Sequence, residues 1–291
     1  MISARALTYS YGDGTRAVVD LDLRVERGEF TAVMGANGSG KTTLLKLLIG
    51  LLKPASGSIL LEGRELRTLK DTEIFQRIGM VFQDPNDQLF APTVEDDVAF
   101  GVMNLGVPRS ETARIVDSTL DTLGISGLRH KAVHALSFGQ KRRVALAGVL
   151  AMKPSVILLD EPTGGLDPLG VTSIMSLLHN LNREHRISMI MATHDIDLVP
   201  LFCDSMVIMH GGRALTQGRP SDVLKNTGII RQASLRLPRI AHLFEILREK
   251  DRFAVDALPL TIGEARRELL EPSKSKAESI TEIADRPEVL L

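Results

Sequence analysis

Gly35 to Thr42, "GANGSGKT", is a glycine-rich run that ends in a cation and a hydroxyl. This is the spacing G-x-x-x-x-G-K-[ST], in which glycines let successive backbone N–H groups wrap a phosphate. Lys41 then reaches the β and γ phosphates, and Thr42 stands where it can ligate Mg²⁺. With Gly35, Asn37, Gly38, Ser39, Gly40 and Thr43 completing the cradle, the expected ligand is a nucleoside triphosphate. A second string, Val156 to Glu161, places two carboxylates where an apolar run ends. Phosphoryl transfer needs one carboxylate on the Mg²⁺ side and one group to orient or deprotonate water. Asp160 suits the first role and Glu161 the second. His194 follows another apolar run, Ile187 to Ala192, and is placed to hydrogen-bond the γ phosphate. His130 and His134 share the i, i+4 spacing of metal ligands, but no third ligand lies near them, so they are read as solvated.

The string "LSFGQKRR", Leu136 to Arg143, opens an apolar helical run from Val144 to Leu150. A helix N-terminus flanked by three cations is a ready anion site. The chain therefore offers two phosphate sites for one nucleotide, and the residues alone do not say why.

These groups need a scaffold. Ala17 to Val25 alternates as a half-buried strand, and Phe30 to Met34 is a short buried one. A helix is expected from Lys41 to about Leu52, ahead of Lys53-Pro54. Gly57 to Glu62 and Ile78 to Phe82 read as strands, then about Thr93 to Leu105 and Ser110 to Leu123 as helices. Val156 to Leu159 and Ile187 to Ala192 are continuous β-favouring runs. Fully apolar strands separated by helices predict an α/β core covered on both faces. Beyond about residue 228 the character changes. Ile240, Leu243, Phe244 and Leu247 form one helical stripe, expected either to help hold two subunits together or to pack on its own cassette. Thr261 and Glu264 make a capping box, and the last twenty residues read as a flexible tail.

Composition narrows the class. The 291 residues suffice for one large domain, with or without a small one, and hydrophobic content is an ordinary 44%. Thirty-five basic against 36 acidic residues argue against bulk nucleic-acid affinity. The single cysteine, Cys203, excludes an internal disulfide and fits a reducing cytosol. The chain opens into a strand-like pattern, without a signal segment. The apolar run Val144 to Met152 falls well short of the roughly 20 residues that cross a bilayer, so no span is expected.

The phosphate loop, "LSFGQ", "VILLDEP", "GGLDP" and "MATHD" occur in the order and spacing of the nucleotide-binding subunits of ATP-binding cassette transporters. The chain resembles that family over about residues 2–225. The resemblance implies an α/β cassette: a mixed sheet core, an antiparallel β subdomain and a helical signature subdomain over about 84–150. It also implies a boundary near 227, with 228–291 forming a small helical extension and tail. ATP is then the substrate and Mg²⁺ its cofactor. Tyr11 would stack on adenine, and Gln83 would join Thr42 and Asp160 on Mg²⁺ while sensing the membrane subunit. Gly165, Leu166 and Asp167 would contact the opposite subunit. Ser137, Phe138, Gly139 and Gln140 resemble the signature motif, which binds the γ phosphate of ATP held by the partner chain. Two subunits packed head to tail thus explain two phosphate sites in one chain. The family usually has glycine where Phe138 stands, and a glycine-like backbone angle there would strain a bulky residue.

The stretch "FQDPNDQLFAPTVEDDVAFG" resembles, more narrowly, the ATPases of energy-coupling-factor transporters, especially the cobalt and nickel uptake branch. There the groove beside Gln88, Leu89 and Phe90 receives helices of a transmembrane scaffold, and a separate membrane protein captures the metal. The implied location is the cytoplasmic face of the cell membrane, through those subunits. The partners implied are a second copy of this chain, the scaffold and the capture subunit, with no nucleic acid. Two rival readings are an importer fed by a periplasmic binding protein and a soluble cassette ATPase without a transport role. No N-K-x-D string supports a GTPase.

Overall fold

A computed structural model describes residues 1–253, 255 and 258–270. The Lys-, Glu- and Pro-containing tail read from the sequence lies outside the described residues. Two alternating runs open the chain: β1 (Ile2–Ser10) and β2 (Arg16–Val25) pair antiparallel, with Ile2 opposite Val25. The wholly buried β3 (Phe30–Met34) leads through the glycine-rich loop into α1 (Lys41–Leu48). That helix stops earlier than its apolar pattern predicts. Gly50 takes a left-handed φ of 82° and its N–H bonds Leu47 O, which ends the helix before the proline is reached. β4 (Ser56–Leu61) and the two-residue β5 (Arg64–Glu65) extend the antiparallel sheet to the order β2-β1-β4-β5.

After α2 (Asp71–Arg77) and β6 (Ile78–Val81) come three helices, α3 (Val94–Asn104), α4 (Arg109–Thr122) and α5 (Phe138–Ala151). Thr93 caps α3 by accepting from the Asp96 N–H. The apolar sides of these helices join one core with strand residues such as Val81 and Leu159. β7 (Val156–Asp160), α6 (Pro168–His185), β8 (Ser188–Thr193), α7 (Val199–Phe202), β9 (Ser205–His210) and β10 (Arg213–Gly218) complete the second sheet. Its order is β10-β9-β3-β8-β7-β6, parallel except for β10, so the sheet is mixed as expected. β3, β7 and β8 are buried along their whole length, because α1 and the antiparallel sheet cover one face and further helices the other.

Short helices α8 (Pro220–Val223) and α9 (Thr227–Gln232) lead to α10 (Arg239–Lys250) and α11 (Ile262–Leu270). The extension is tied to the cassette: Arg236 pairs with Asp197 at 2.7 Å, and Ala241 joins the main core. Of the predicted stripe, Phe244 is buried against Phe253 and Ala265, with Ile240 and Leu247 packed beside them. Only Leu243 remains exposed. Most of the stripe is therefore spent within its own chain. At α11 the Thr261 hydroxyl accepts from the Glu264 N–H, as the capping box predicts. The Glu264 carboxylate, however, reaches the N–H of Leu260, one residue before the expected one. No helix among the described residues is long and apolar enough to cross a membrane.

Candidate nucleotide site and membrane-side groove

The phosphate loop bends as it does because two of its glycines have no room for a side chain. A Cβ on Gly35 would lie 2.4 Å from the Ser39 hydroxyl, and one on Gly40 (φ 101°) would lie 2.1 Å from Ala17 O. Gly40 caps α1, whose first N–H groups face the loop. Lys41 Nζ donates to Gly35 O at 2.8 Å and to Ala36 O at 3.3 Å, so the cation is folded over the loop it serves. Burial pulls its ammonium below its ordinary pKa, against the opposing pull of Glu161 and Asp160. Tyr11 stands at the rim: its hydroxyl is 2.9 Å from Thr43 Oγ1, and its ring meets Tyr9 edge to face.

Parallel pairing of β3, β8 and β7 brings the other chemistry to the same sheet edge. The Thr42 hydroxyl donates to both Asp160 oxygens, at 2.8 and 3.1 Å. Burial pushes the Asp160 carboxyl above the usual range; the Thr42 bond opposes this and the Glu161 charge adds to it. Glu161 is 7% exposed and takes a left-handed φ of 47°. Such a backbone costs about 1–3 kcal/mol and persists only where its surroundings hold it. They do: its N–H donates to Ala192 O, and its carbonyl accepts from the Gly164 N–H and from Arg142. His194 Nδ1 lies 3.0 Å from Glu161 Oε2, placing the histidine on the carboxylate. Gln83 is exposed just past β6, and its carbonyl accepts from Arg142 Nη2 at 2.7 Å. Arg142 is the residue that reading along the chain overlooked. Its partners lie 19 and 59 positions away, so no local pattern marks it.

Thr42 and Asp160 supply two hard oxygen donors side by side. Among the described residues no cluster of three or more His, Cys, Asp and Glu could hold a metal ion unaided. This donor set fits a Mg²⁺ ion that takes its other ligands from phosphate and water.

The signature string starts α5. Ser137 Oγ accepts from the Gln140 N–H, and Gln140 Oε1 accepts from the Ser137 N–H, a reciprocal cap at a helix start where Ser137 and Phe138 are exposed. Two expectations fail here. Phe138 is the first helical residue and has no positive φ, so its side chain brings no backbone strain. The three cations do not gather at the helix end either. Lys141 bonds Asn86, Arg142 turns inward, and Arg143 bonds Leu123 O and Ser173. No hydrogen bond or ion pair joins residues 136–143 to the phosphate loop among the described residues. Gly165 (φ 74°), Leu166 and Asp167 form the turn before α6, where the Asp167 carboxylate accepts from the Gly170 N–H.

Beside α3 lies an apolar cavity of about 250 Å³, walled by Phe75, Phe82, Phe90, Phe100, Leu51 and Met152 among others. Phe90 is 64% exposed and meets Phe100 edge to face at 4.6 Å. Its loop is pinned by Asp97, whose buried carboxylate accepts from the N–H groups of both Phe90 and Ala91 at 3.0 Å. Gln88 also borders the cavity, with its amide spanning Phe82 N–H and Ala145 O. Leu89 does not: it packs on the main core and, together with Phe90, lines a neighbouring cavity of about 360 Å³ bounded by Asn86, Pro92, Val133 and Lys141. His130 is exposed and lies 3.3 Å from Glu95.

A phosphate loop, a hydroxyl–carboxylate pair, and a second carboxylate bearing a histidine, all at one edge of a mostly parallel sheet, make an ATP-hydrolysing site. The ABC transporter family model matches residues 18–164. The chain is 48% identical over 269 residues to the energy-coupling factor transporter ATP-binding protein EcfA2 of Clostridium perfringens, covering 92% of this chain and 94% of that one. It is 44% identical to EcfA of Methanocaldococcus jannaschii, covering 95% and 99%. The solved structure of CbiO1 from Clostridium perfringens, part of a CbiONQ ABC transporter complex, superposes with a TM-score of 0.73 at 47% identity. That match covers 84% of this chain and 98% of CbiO1. A dimeric ATP-binding cassette in a post-hydrolysis state with ADP and phosphate matches with a TM-score of 0.67 at 28% identity, covering 76% and 99%. The chain belongs to the ABC transporter ATPases, and within them to the energy-coupling factor ATP-binding proteins.

Proposed function

We propose that two copies of this chain sandwich two ATP molecules and drive a membrane scaffold that imports cobalt or nickel. In this reading Lys41, Thr42 and Thr43 with the loop N–H groups hold ATP in one chain, and Tyr11 stacks on its adenine. Ser137, Phe138, Gly139 and Gln140 of the other chain contact its γ phosphate, and Gly165 to Asp167 meet the partner. Asp160, Thr42 and Gln83 would hold Mg²⁺, which when bound neutralises phosphate charge. Glu161 orients and deprotonates the attacking water, and His194 holds the Glu161 carboxylate and meets the γ phosphate. The observation that carries the reading is the separation of the two phosphate-binding ends. The loop converges with Asp160, Glu161 and His194, while the exposed signature end of α5 makes no hydrogen bond to it among the described residues.

The apolar groove around Phe90 and Gln88 supports docking of scaffold helices. Cobalt or nickel as cargo rests on the loop string from Phe82 to Gly101. The metal stays with a capture subunit, so this chain works at the cytoplasmic face of the membrane without touching it. The cassette is taken as 1–227 and the extension as 228–291.

Glu161→Gln tests the reading. It removes the base without changing size, so turnover should fall by about 10²–10⁴ while ATP binding persists. Size-exclusion chromatography should then show an ATP-held dimer, because hydrolysis no longer dissolves it. A monomer in saturating ATP would count against the sandwich.

A further inference from the structure

We propose that Arg142 is a positioning residue for hydrolysis, and that with Phe138 it carries the state of the signature segment to the catalytic edge of the same chain. This rests on the composite-site reading above. Arg142 is 1% exposed, yet its guanidinium donates to no carboxylate among the described residues. Buried arginines are ordinarily paired with acids. This one donates instead to two main-chain carbonyls: Nη1 to Glu161 O at 2.6 Å and Nη2 to Gln83 O at 2.7 Å, while buried Nε has no partner. The two carbonyls belong to the two segments that handle the attacking water and Mg²⁺. A planar fork can hold both at fixed separation, which a lysine cannot.

The other face of the guanidinium rests on Phe138, 5.1 Å from the ring centroid. That ring lies against Gly165, where a Cβ would come within 3.1 Å of it. One aromatic side chain, absent from the glycine-bearing form of the motif, thus touches both the arginine strut and the turn before α6. Glu161 holds a left-handed backbone that its neighbours must maintain, so a shift at the start of α5 reaches it directly. In a head-to-tail pair the signature of one chain contacts one ATP, and Glu161 of that chain acts on the other. The Phe138–Arg142 strut therefore links the two ATP sites through a single chain.

Steady-state ATPase assays on the full-length chain test this with Arg142→Lys and Phe138→Leu. Misplacement by about 1 Å costs roughly a hundredfold. Arg142→Lys should therefore lower kcat by about 10–100-fold, with KM for ATP within about threefold of wild type. The Hill coefficient for ATP should exceed 1 in the wild type and fall toward 1 in both variants. Phe138→Leu alters a partly exposed side chain, keeps the helix start, and should cost a smaller part of kcat; it decides the matter if Arg142→Lys does not fold. Wild-type kcat in a folded Arg142→Lys, or in Phe138→Leu where Arg142→Lys does not fold, would overturn the proposal. So would a wild-type Hill coefficient of 1. A parallel loss of melting temperature, KM and kcat would mark a merely structural arginine and overturn it too. If Glu161→Gln forms its ATP-held dimer while these variants behave as wild type, only the strut is lost. If that dimer does not form, the composite-site reading itself fails.

Discussion

Asp160 is a carboxylate that the fold holds at a cost. It is 3% exposed, and burial raises its pKa. A carboxyl with a raised native pKa favours the fold only while protonated; as pH rises through that value, ionisation subtracts stability. Asp160→Asn should therefore stabilise the nucleotide-free chain at pH 7–8, by about 1 kcal/mol or a few degrees in melting temperature. The gain should shrink as pH falls into the ordinary carboxylate range, because the raised Asp160 carboxyl takes up its proton there. Calorimetry at pH 5 and pH 8 checks the sign, and a lower melting temperature at pH 8 would refute it. ATPase activity of the same variant should be lost. The string "VILLDE" made both carboxylates visible as a pair, but their unlike environments were not. Asp160 faces the Thr42 hydroxyl, whereas Glu161 is held between α5, β8 and His194.

Elements differ in how openly they announce themselves. β3, β7 and β8 are mostly apolar, β-favouring runs and were legible directly. α6 was not picked out, although Asp167 as cap and Pro168 at its first position are standard start signals. β9 and β10 were passed over because nothing chemical marks them. The groove belongs to this scale, since α2, β6, α3, α5 and the turn after α1 each give a wall. Phe90 is its most exposed aromatic, and aromatic anchors often dominate helix-in-groove contacts. Phe90→Ala should weaken scaffold binding by about 2 kcal/mol, or about thirtyfold in Kd. ATP binding by the isolated subunit should not change. Copurification of the membrane subunits and metal uptake measure the first claim; unchanged yield and uptake would move the docking site elsewhere. Leu89→Ala should instead lower stability, because that side chain packs on the core.

On the composite-site reading, a second chain is what gives the signature end a phosphate to bind. Lys41→Ala and Ser137→Arg should each be nearly inactive, because each damages both composite sites of its homodimer. In a mixture, the heterodimer carries both lesions in one site and leaves the other intact. ATPase activity should then recover in part. A control with tethered wild-type and Lys41→Ala chains guards against strict coupling between the sites. Should the control hydrolyse ATP while proven heterodimers do not, the signature serves its own chain. Ser137 also caps α5, so the Ser137→Arg protein needs a melting curve; the lost cap costs about 1 kcal/mol.

What the sequence determined by itself is the chemistry carried by contiguous residues. A phosphate loop works through the backbone of eight neighbours, and a strand end presents adjacent carboxylates wherever the strand is placed. Such features depend on spacing along the chain, and spacing is legible. The tertiary structure decided everything that depends on residues meeting from afar. It gave the three signature cations partners away from the helix end, gave Phe138 an ordinary helical backbone, and set Leu89 partly on the core while Phe90 stayed in the groove. It also set a buried guanidinium between carbonyls 19 and 59 positions distant. The physical reason is that a side chain's partner is chosen by packing, and packing brings together segments whose order in the chain says nothing about their contact.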